Sequence, residues 1–356
     1  MRTLVRPTGF IDSPFGHDGK AARLAGGLNW FAAVELIHVE GDKRVSTELE
    51  SVEGIEDRFD DDMAAQWEAL TGARAPLQLG ERMIRLDQPQ VMGIVNATPD
   101  SFSDGGQFTD AGAAAEAGAS MATQGAAIVD VGGESTRPGA KAVWEGDEIE
   151  RIAPVIRQLA AGGAAVSADT RKADVMTAAL EAGAGMINDV SALTYDDRSA
   201  GVIAAAGVPV VLMHHKGAPE TMQDDPRYDD VLVEVYSWLE ERIETAVQAG
   251  ISRDRVLVDP GFGFGKNVAH NLELMNGLAL FQSLGCPVVV GASRKRTIGA
   301  LSAEAPPDRR LGGSIAFALK AVEQGAQLLR VHDVPETVQA LRIWRGLRDQ
   351  ALTPRV

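Results

Sequence analysis

Asn96, Asp130, Asp169, Asn188 with Asp189, His214, Asp259, Ser293 to Lys295, and Arg330 with His332 each stand where a short apolar run of the chain stops. Carboxylates, amides, an amine, a guanidinium and imidazoles gathered in one place can grip a polar small molecule and stabilise charge as a bond breaks. An Asp or Asn in such a position often does no more than cap the helix that follows. Polar groups at all eight ends exceed what capping requires, so the pattern points to an active site. Two of these ends open into long polar segments. Residues 96–106 carry Pro99, Phe102 and paired glycines, and are long enough to fold over a mouth as a lid. Residues 130–139 hold Thr136 and Arg137, and that arginine has the reach to meet an anionic group.

Bringing such ends together is the task of the elements between them. The apolar runs are residues 91–95, 127–131, 165–168, 185–187, 209–213, 256–258, 287–290 and 327–331. Helical stretches follow them, as at 111–123, 147–159, 230–249 and 335–347. That alternation marks βα units and a parallel sheet. Eight units predict an α/β fold of the (β/α)8 TIM-barrel type rather than an open doubly wound sheet, and in a barrel all the strand ends converge on one mouth. The first 78 residues break the repeat. A strand at 31–39, an acidic run at 56–62 and a helix-like patch at 63–70 predict a small N-terminal α/β extension, residues 1–78, ahead of a barrel spanning 79–356.

Composition narrows the partners. A formal net charge of -16 repels phosphates at long range, which argues against nucleic acid and anionic membranes and leaves any anionic ligand to a local cluster of cations or a metal. Cys286 is the only cysteine and lies in an apolar stretch, so an internal disulfide is excluded. No segment reaches the roughly 18 uninterrupted apolar residues of a membrane span. Residues 1–10 contain Arg2 and Arg6 and no apolar run, so a cytoplasmic protein is expected.

Generic motifs fail. Residues 261–267, Gly-Phe-Gly-Phe-Gly-Lys-Asn, lack the spacing of a P-loop and end in Asn where a magnesium-binding hydroxyl is needed. Lys266 occupies the place of the third glycine in a dinucleotide fingerprint. His214 and His215 are adjacent, so on an extended segment they point to opposite sides and do not easily chelate one zinc ion.

The ordered set of segments is instead similar to the signature segments of the dihydropteroate synthase family. Residues 92–106, 130–139, 167–170, 187–190, 212–214, 259–266, 291–295 and 330–333 occur in that family's order, each at a strand end, and the resemblance spans 77–345. It implies that Asp169, Asn188, Asp259 and Lys295 line a deep pterin pocket, with Met213 and Phe264 against the ring faces and Asp130 as an orienting neighbour. Carboxylates suit the amine and N–H edge of a pterin, and Lys295 suits its carbonyl and ring nitrogens. The glycines of 261–265 would let the backbone pass close to a flat ligand. The resemblance further implies that Arg330 and His332 bind pyrophosphate and that Asn96 accompanies a Mg2+ ion shared with the leaving group. Thr136 and Arg137, with Phe102 and Pro99, would close around p-aminobenzoate and the diphosphate.

The implied reaction is displacement of pyrophosphate from 6-hydroxymethyl-7,8-dihydropterin diphosphate by the amine of p-aminobenzoate, with Asp169, Lys295, Arg330, His332 and Arg137 as the catalytic set. An arylamine needs no strong base to attack, in keeping with the lack of a nucleophile-plus-base pair in the sequence. A homodimer is implied as well. Two rivals share the pocket: a pterin-dependent methyltransferase, which releases no diphosphate and needs neither the 96–106 loop nor Arg137, and a non-catalytic pterin-binding paralogue, which would have lost mouth residues that are present here. Three places depart from the family's commonest pattern: Ala97, His215-Lys216-Gly217, and Arg296, which stands where a serine is often found beside the expected p-aminobenzoate carboxylate.

Overall fold

The structure is a computed structural model describing residues 1–97, 110–135, 142–217 and 221–354. The chain opens with strands β1 (Arg2–Ile11), β2 (Ala22–Arg23), β3 (Trp30–Glu40) and β4 (Lys43–Ser51), helix α1 (Asp61–Thr71), and a hairpin of β5 (Leu77–Leu79) and β6 (Arg82–Ile84). The repeat then runs β7 (Gln90–Asn96), α2 (Asp110–Gln124), β8 (Ile128–Gly132), α3 (Glu145–Ala161), β9 (Val166–Asp169), α4 (Ala173–Ala182), β10 (Met186–Asp189), α5 (Ser199–Ala206), β11 (Val210–Met213) and α6 (Val231–Gln248). It continues with β12 (Val256–Asp259), α7 (Val268–Asn276), β13 (Val289–Val290), α8 (Arg296–Leu301), α9 (Leu311–Glu323), β14 (Leu328–Val331) and α10 (Val334–Ala351).

Strands β7 to β14 form one sheet in the order β12-β11-β10-β9-β8-β7-β14-β13. Its two ends meet where Val258 bridges Val288 in parallel and the Val258 N–H donates to Pro287 O at 2.9 Å, which closes the barrel. All eight apolar runs of the sequence are strands. The helices between them obey the periodicity that predicted them. In α6, Val231, Val235, Leu239, Ile243 and Ala246 are buried at spacings of three and four. Its N-terminus is capped by Asp230, whose side chain accepts from Leu232 N and Val233 N.

Side chains alternate across each barrel strand. Val91, Val129, Val166, Ile187, Val210, Val258, Val290 and Leu329 pack outward with the helices in the main core. Met92, Ile128, Ala165, Met186, Val211, Leu257, Val289 and Leu328 form a separate inner cluster with Leu77, Leu79, Ile84 and Leu86. The β5–β6 hairpin therefore seals the floor of the barrel, and the inward layer nearest it is entirely apolar.

The N-terminal sheet is antiparallel, with β3 pairing β1 along one edge and β2 and β4 along the other. One face holds Val5, Phe31, Val34, Leu36 and the α1 residues Met63 and Leu70 in a core of its own. The opposite face gives Leu4, Ile37 and Val39 to the barrel's core. Arg44 bonds Asp230 at 2.7 Å and Arg2 bonds Glu240 at 2.5 Å, so the sheet is pinned to α6 by charge as well as by packing.

Candidate active site

The alternation that fills the floor also decides which polar groups face the mouth. Stepping two residues up from the inner apolar layer reaches Asp130 on β8, Asn188 on β10, Met213 on β11, Asp259 on β12 and Arg330 on β14; on β9 the same phase runs Ala165, Ser167, Asp169. The mouth is thus the continuation of one strand face, polar where the floor is apolar.

Arg330 organises it. Its Nε donates to Asp130 Oδ2 at 2.6 Å and its Nη2 to Asp169 Oδ2 at 2.5 Å, so one guanidinium ties two carboxylates on neighbouring strands. Asp130 also accepts from Asn188 Nδ2 at 3.1 Å. Asp130 therefore orients both Arg330 and Asn188. Asp130 Oδ1 and Asp169 Oδ1 are buried without a hydrogen-bond partner in the protein. Buried acceptors of that kind call for a donor, and at a mouth a ligand can supply it.

Asp259 lies in register with Met213 and accepts from the Gly261 N–H at 2.7 Å. A Cβ placed on Gly291 would lie 3.6 Å from Asp259 Oδ2 and 3.9 Å from Arg330 Cβ, so glycine there leaves room between the two. Lys295 donates to Phe262 O, and its Nζ stands 4.5 Å from the centre of the Phe264 ring. His332 Nδ1 is 3.1 Å from Ser293 Oγ. Asn96 ends β7 opposite Gly132, which in turn pairs with Asp169. Arg296, the first residue of α8, is exposed beside Lys295.

Electrostatics follow from burial. Loss of water pushes Asp169 up to about 7, with Arg330 opposing and Asp130 adding to the rise. Burial also raises Asp259, against the pull of Lys295. It brings Lys295 down to about 8, opposed by Asp259 and Asp169. Burial alone would lower Arg330, but Asp130 and Asp169 outweigh it and hold the guanidinium firmly charged. The site thus combines one carboxylate near neutrality and a second raised by burial with one permanent cation and one adjustable one.

The structure brings Asn96, Asp169, Asn188, Met213, Asp259, Phe264, Lys295, Arg330 and His332 to one mouth. Thr136 and Arg137, with Pro99 and Phe102, lie outside the described residues. Asp189, counted among the mouth residues by its place in the sequence, is a local cap: its carboxylate accepts from Ser191 N, Ser191 Oγ and Leu193 N. His214 is buried beside Trp238, their ring centres 4.9 Å apart, with its Nδ1 2.8 Å from Lys266 Nζ. His270 closes a capping box with Asn267 at the start of α7.

Two groups near the mouth carried no signal in the sequence. Lys266 was legible only as a residue that spoils a glycine motif; folded, it is buried and bonded to His214, Gly261 O and Phe264 O. Lys172 is buried between Glu134 and Glu148 at 3.2 and 2.5 Å. Val143 donates its N–H to Glu134 Oε1 and accepts from Lys172 Nζ at 2.7 Å. Charge pairs between distant positions leave no periodicity to read.

A closed barrel with this floor and this mouth defines the class: the chain belongs to the pterin binding enzyme family, which matches residues 92–332. Within that class its relatives are dihydropteroate synthases. It is 46% identical to the dihydropteroate synthase of Escherichia coli over 259 residues, 72% of this chain and 91% of that one. The dihydropteroate synthase of Xanthomonas albilineans with 4-aminobenzoic acid superposes with a TM-score of 0.74 at 49% identity, covering 79% of this chain and all of the other. The same organism's enzyme in complex with 7,8-dihydropteroate gives a TM-score of 0.71 at 46% identity, over 78% of this chain and 100% of that one. The protein is a transferase of the dihydropteroate synthase type.

Proposed function

We propose that this enzyme joins 6-hydroxymethyl-7,8-dihydropterin diphosphate to p-aminobenzoate, giving 7,8-dihydropteroate and pyrophosphate. The observation that carries the assignment of roles is the inward ring of Asp169, Asn188, Asp259, Lys295 and Arg330 directly above an apolar floor. A flat heterocycle standing there meets acceptors on one edge and donors on the other, with Met213 and Phe264 available to its faces. The relatives solved with 4-aminobenzoic acid and with 7,8-dihydropteroate support the two ends of the reaction.

Breaking the carbon–oxygen bond leaves positive charge spread from the CH2 group into the pterin. Asp169 and Asp259 oppose that charge from below. Arg330 and His332, with Arg137, take the departing anion at the rim. The arylamine attacks through its free lone pair, and its proton leaves to water or pyrophosphate.

A Mg2+ ion fits the donor set only as a guest. Among the described residues no three His, Cys, Asp or Glu side chains stand together to hold a metal. Asn96 offers one amide oxygen, suited to an ion that keeps its waters and diphosphate oxygens as remaining ligands. When bound, such an ion would supply Lewis-acid stabilisation of the leaving group.

We also assign a homodimer and a cytoplasmic setting. Ile343 and Leu347, one turn apart on α10 and 64% and 68% exposed, favour a covered face there. No helix among the described residues is long and apolar enough to cross a membrane. Pyrophosphate release by the purified protein tests the main reading. Release should require the pterin diphosphate, the arylamine and magnesium together; release that ignores the arylamine would identify a hydrolase instead.

A further inference from the structure

Five consecutive backbone carbonyls, those of Gly261 to Gly265, are each taken by a side-chain donor. Lys266 Nζ reaches Gly261 O at 3.0 Å and Phe264 O at 3.1 Å, Lys295 Nζ reaches Phe262 O, Gln223 Nε2 reaches Gly263 O, and the Tyr228 hydroxyl donates to Gly265 O at 2.9 Å. Backbone N–H groups of the turn are engaged as well. Gly261 donates to Asp259 Oδ1 at 2.7 Å and Gly263 to Asn271 Oδ1 at 2.8 Å.

The turn needs such ties. Gly261, Gly263 and Gly265 have φ of 70°, 81° and 65°, and a Cβ at Gly261 or Gly265 would lie 1.8 Å from His214 O or 2.2 Å from Lys216 O. Its carbonyls join no sheet or helix ladder, so side chains meet the hydrogen-bonding requirement and thereby set the shape. Two of those side chains, Gln223 and Tyr228, come from the connection between β11 and α6 and were assigned no role above. Tyr228 is itself held: its ring centre is 4.9 Å from that of His270, and Lys216 Nζ stands 4.1 Å above it.

We propose that Gln223 and Tyr228 are positioning residues, which fix the 261–265 turn from behind and so place the Phe264 ring and the Lys295 amine against the pterin. The inference rests on the pterin reading of this pocket. It concerns the pterin half of the reaction, because the two residues bond the carbonyls of Gly263 and Gly265, on either side of Phe264.

The test compares Tyr228→Phe, Gln223→Leu and the double variant with the wild type, measuring KM for each substrate and kcat separately. Loss of one hydrogen bond should raise KM for the pterin diphosphate roughly fivefold in each single variant, and by more in the double, with KM for p-aminobenzoate moving less than about twofold. General loosening of the fold lowers the active fraction and hence kcat, and leaves the ratio of the two KM values where it was. Should the double variant fail to fold, Tyr228→Phe, which keeps the ring packing, decides alone. Variants that turn over with both KM values at the wild-type level overturn the inference by itself; a wild-type protein that forms no dihydropteroate overturns the functional reading and this inference with it.

Discussion

The guanidinium of Arg330 lies 2.5 Å from Asp169 Oδ2, held there by a second bond to Asp130 at 2.6 Å. A single side chain on the last barrel strand thereby fixes two carboxylates on the second and third. Lysine has the charge but not the planar fork, and cannot satisfy both partners. Arg330→Lys should lower kcat/KM by about a hundredfold and the unfolding free energy by about 3 kcal/mol. Steady-state kinetics and urea denaturation check this, and a variant with wild-type values in both would show that the bridge is incidental.

The pH dependence has a definite sign. Asp169, raised to about 7, must be ionised to oppose the cationic CH2 group, so activity rises with pH through that region. Lys295, lowered to about 8, loses its charge above it, so activity falls. A bell-shaped kcat/KM profile with limbs near those values is expected. In Asp169→Asn the limb near 7 should be lost along with most of the rate, leaving Asp259 alone to set the acidic side; a flat profile from pH 5 to about 9 in the wild type would contradict the assignment.

Lys266 is a buried amine whose partners are a ring nitrogen and two carbonyls. Burial lowers both it and His214 well below their usual values. Lys266→Met takes the donor from His214 Nδ1 and Phe264 O, while Gly261 O keeps the Phe264 N–H at 3.1 Å, and should cost about 3 kcal/mol. A shifted urea midpoint with unchanged slope is the expected reading, whereas an unmoved midpoint would mean the acceptors find water.

The N-terminal sheet covers apolar surface that the barrel cannot expose freely. Tyr236 and Phe281 are buried where β1 and α1 pack on the 3-10 turn Leu278–Leu284, with Arg2 of β1 lying over the Tyr236 ring. A chain starting at Arg74 should therefore elute as aggregates in size-exclusion chromatography. A monodisperse truncated protein with an unchanged melting temperature would show the sheet to be dispensable for stability.

How much of this was legible beforehand depended on periodicity. The eight barrel strands are short apolar runs between turns, and their polar ends, His214 and Asp189 apart, sit on the inward phase, so both the fold and most of the mouth could be read from spacing. Asp189 was misplaced because it is one residue out of phase with Asn188, and its carboxylate caps its own turn. β1 was hidden by Pro7 and Gly9 inside it, and β4 by its exposed residues on both faces, which leave no apolar alternation. Gln223, Tyr228 and Lys266 act through backbone carbonyls, and such contacts leave no pattern in residue type.

On the geometry above, this one mouth joins an arylamine to a pterin methylene carbon. Mass spectrometry of reactions containing nitrogen-15 p-aminobenzoate, dihydropterin diphosphate and magnesium tests it most directly. Labelled 7,8-dihydropteroate should appear in equal amount to pyrophosphate with the wild type and be lost with Lys295→Ala. Unlabelled hydroxymethyl dihydropterin as the only pterin product, or equal product from Lys295→Ala, would contradict the account.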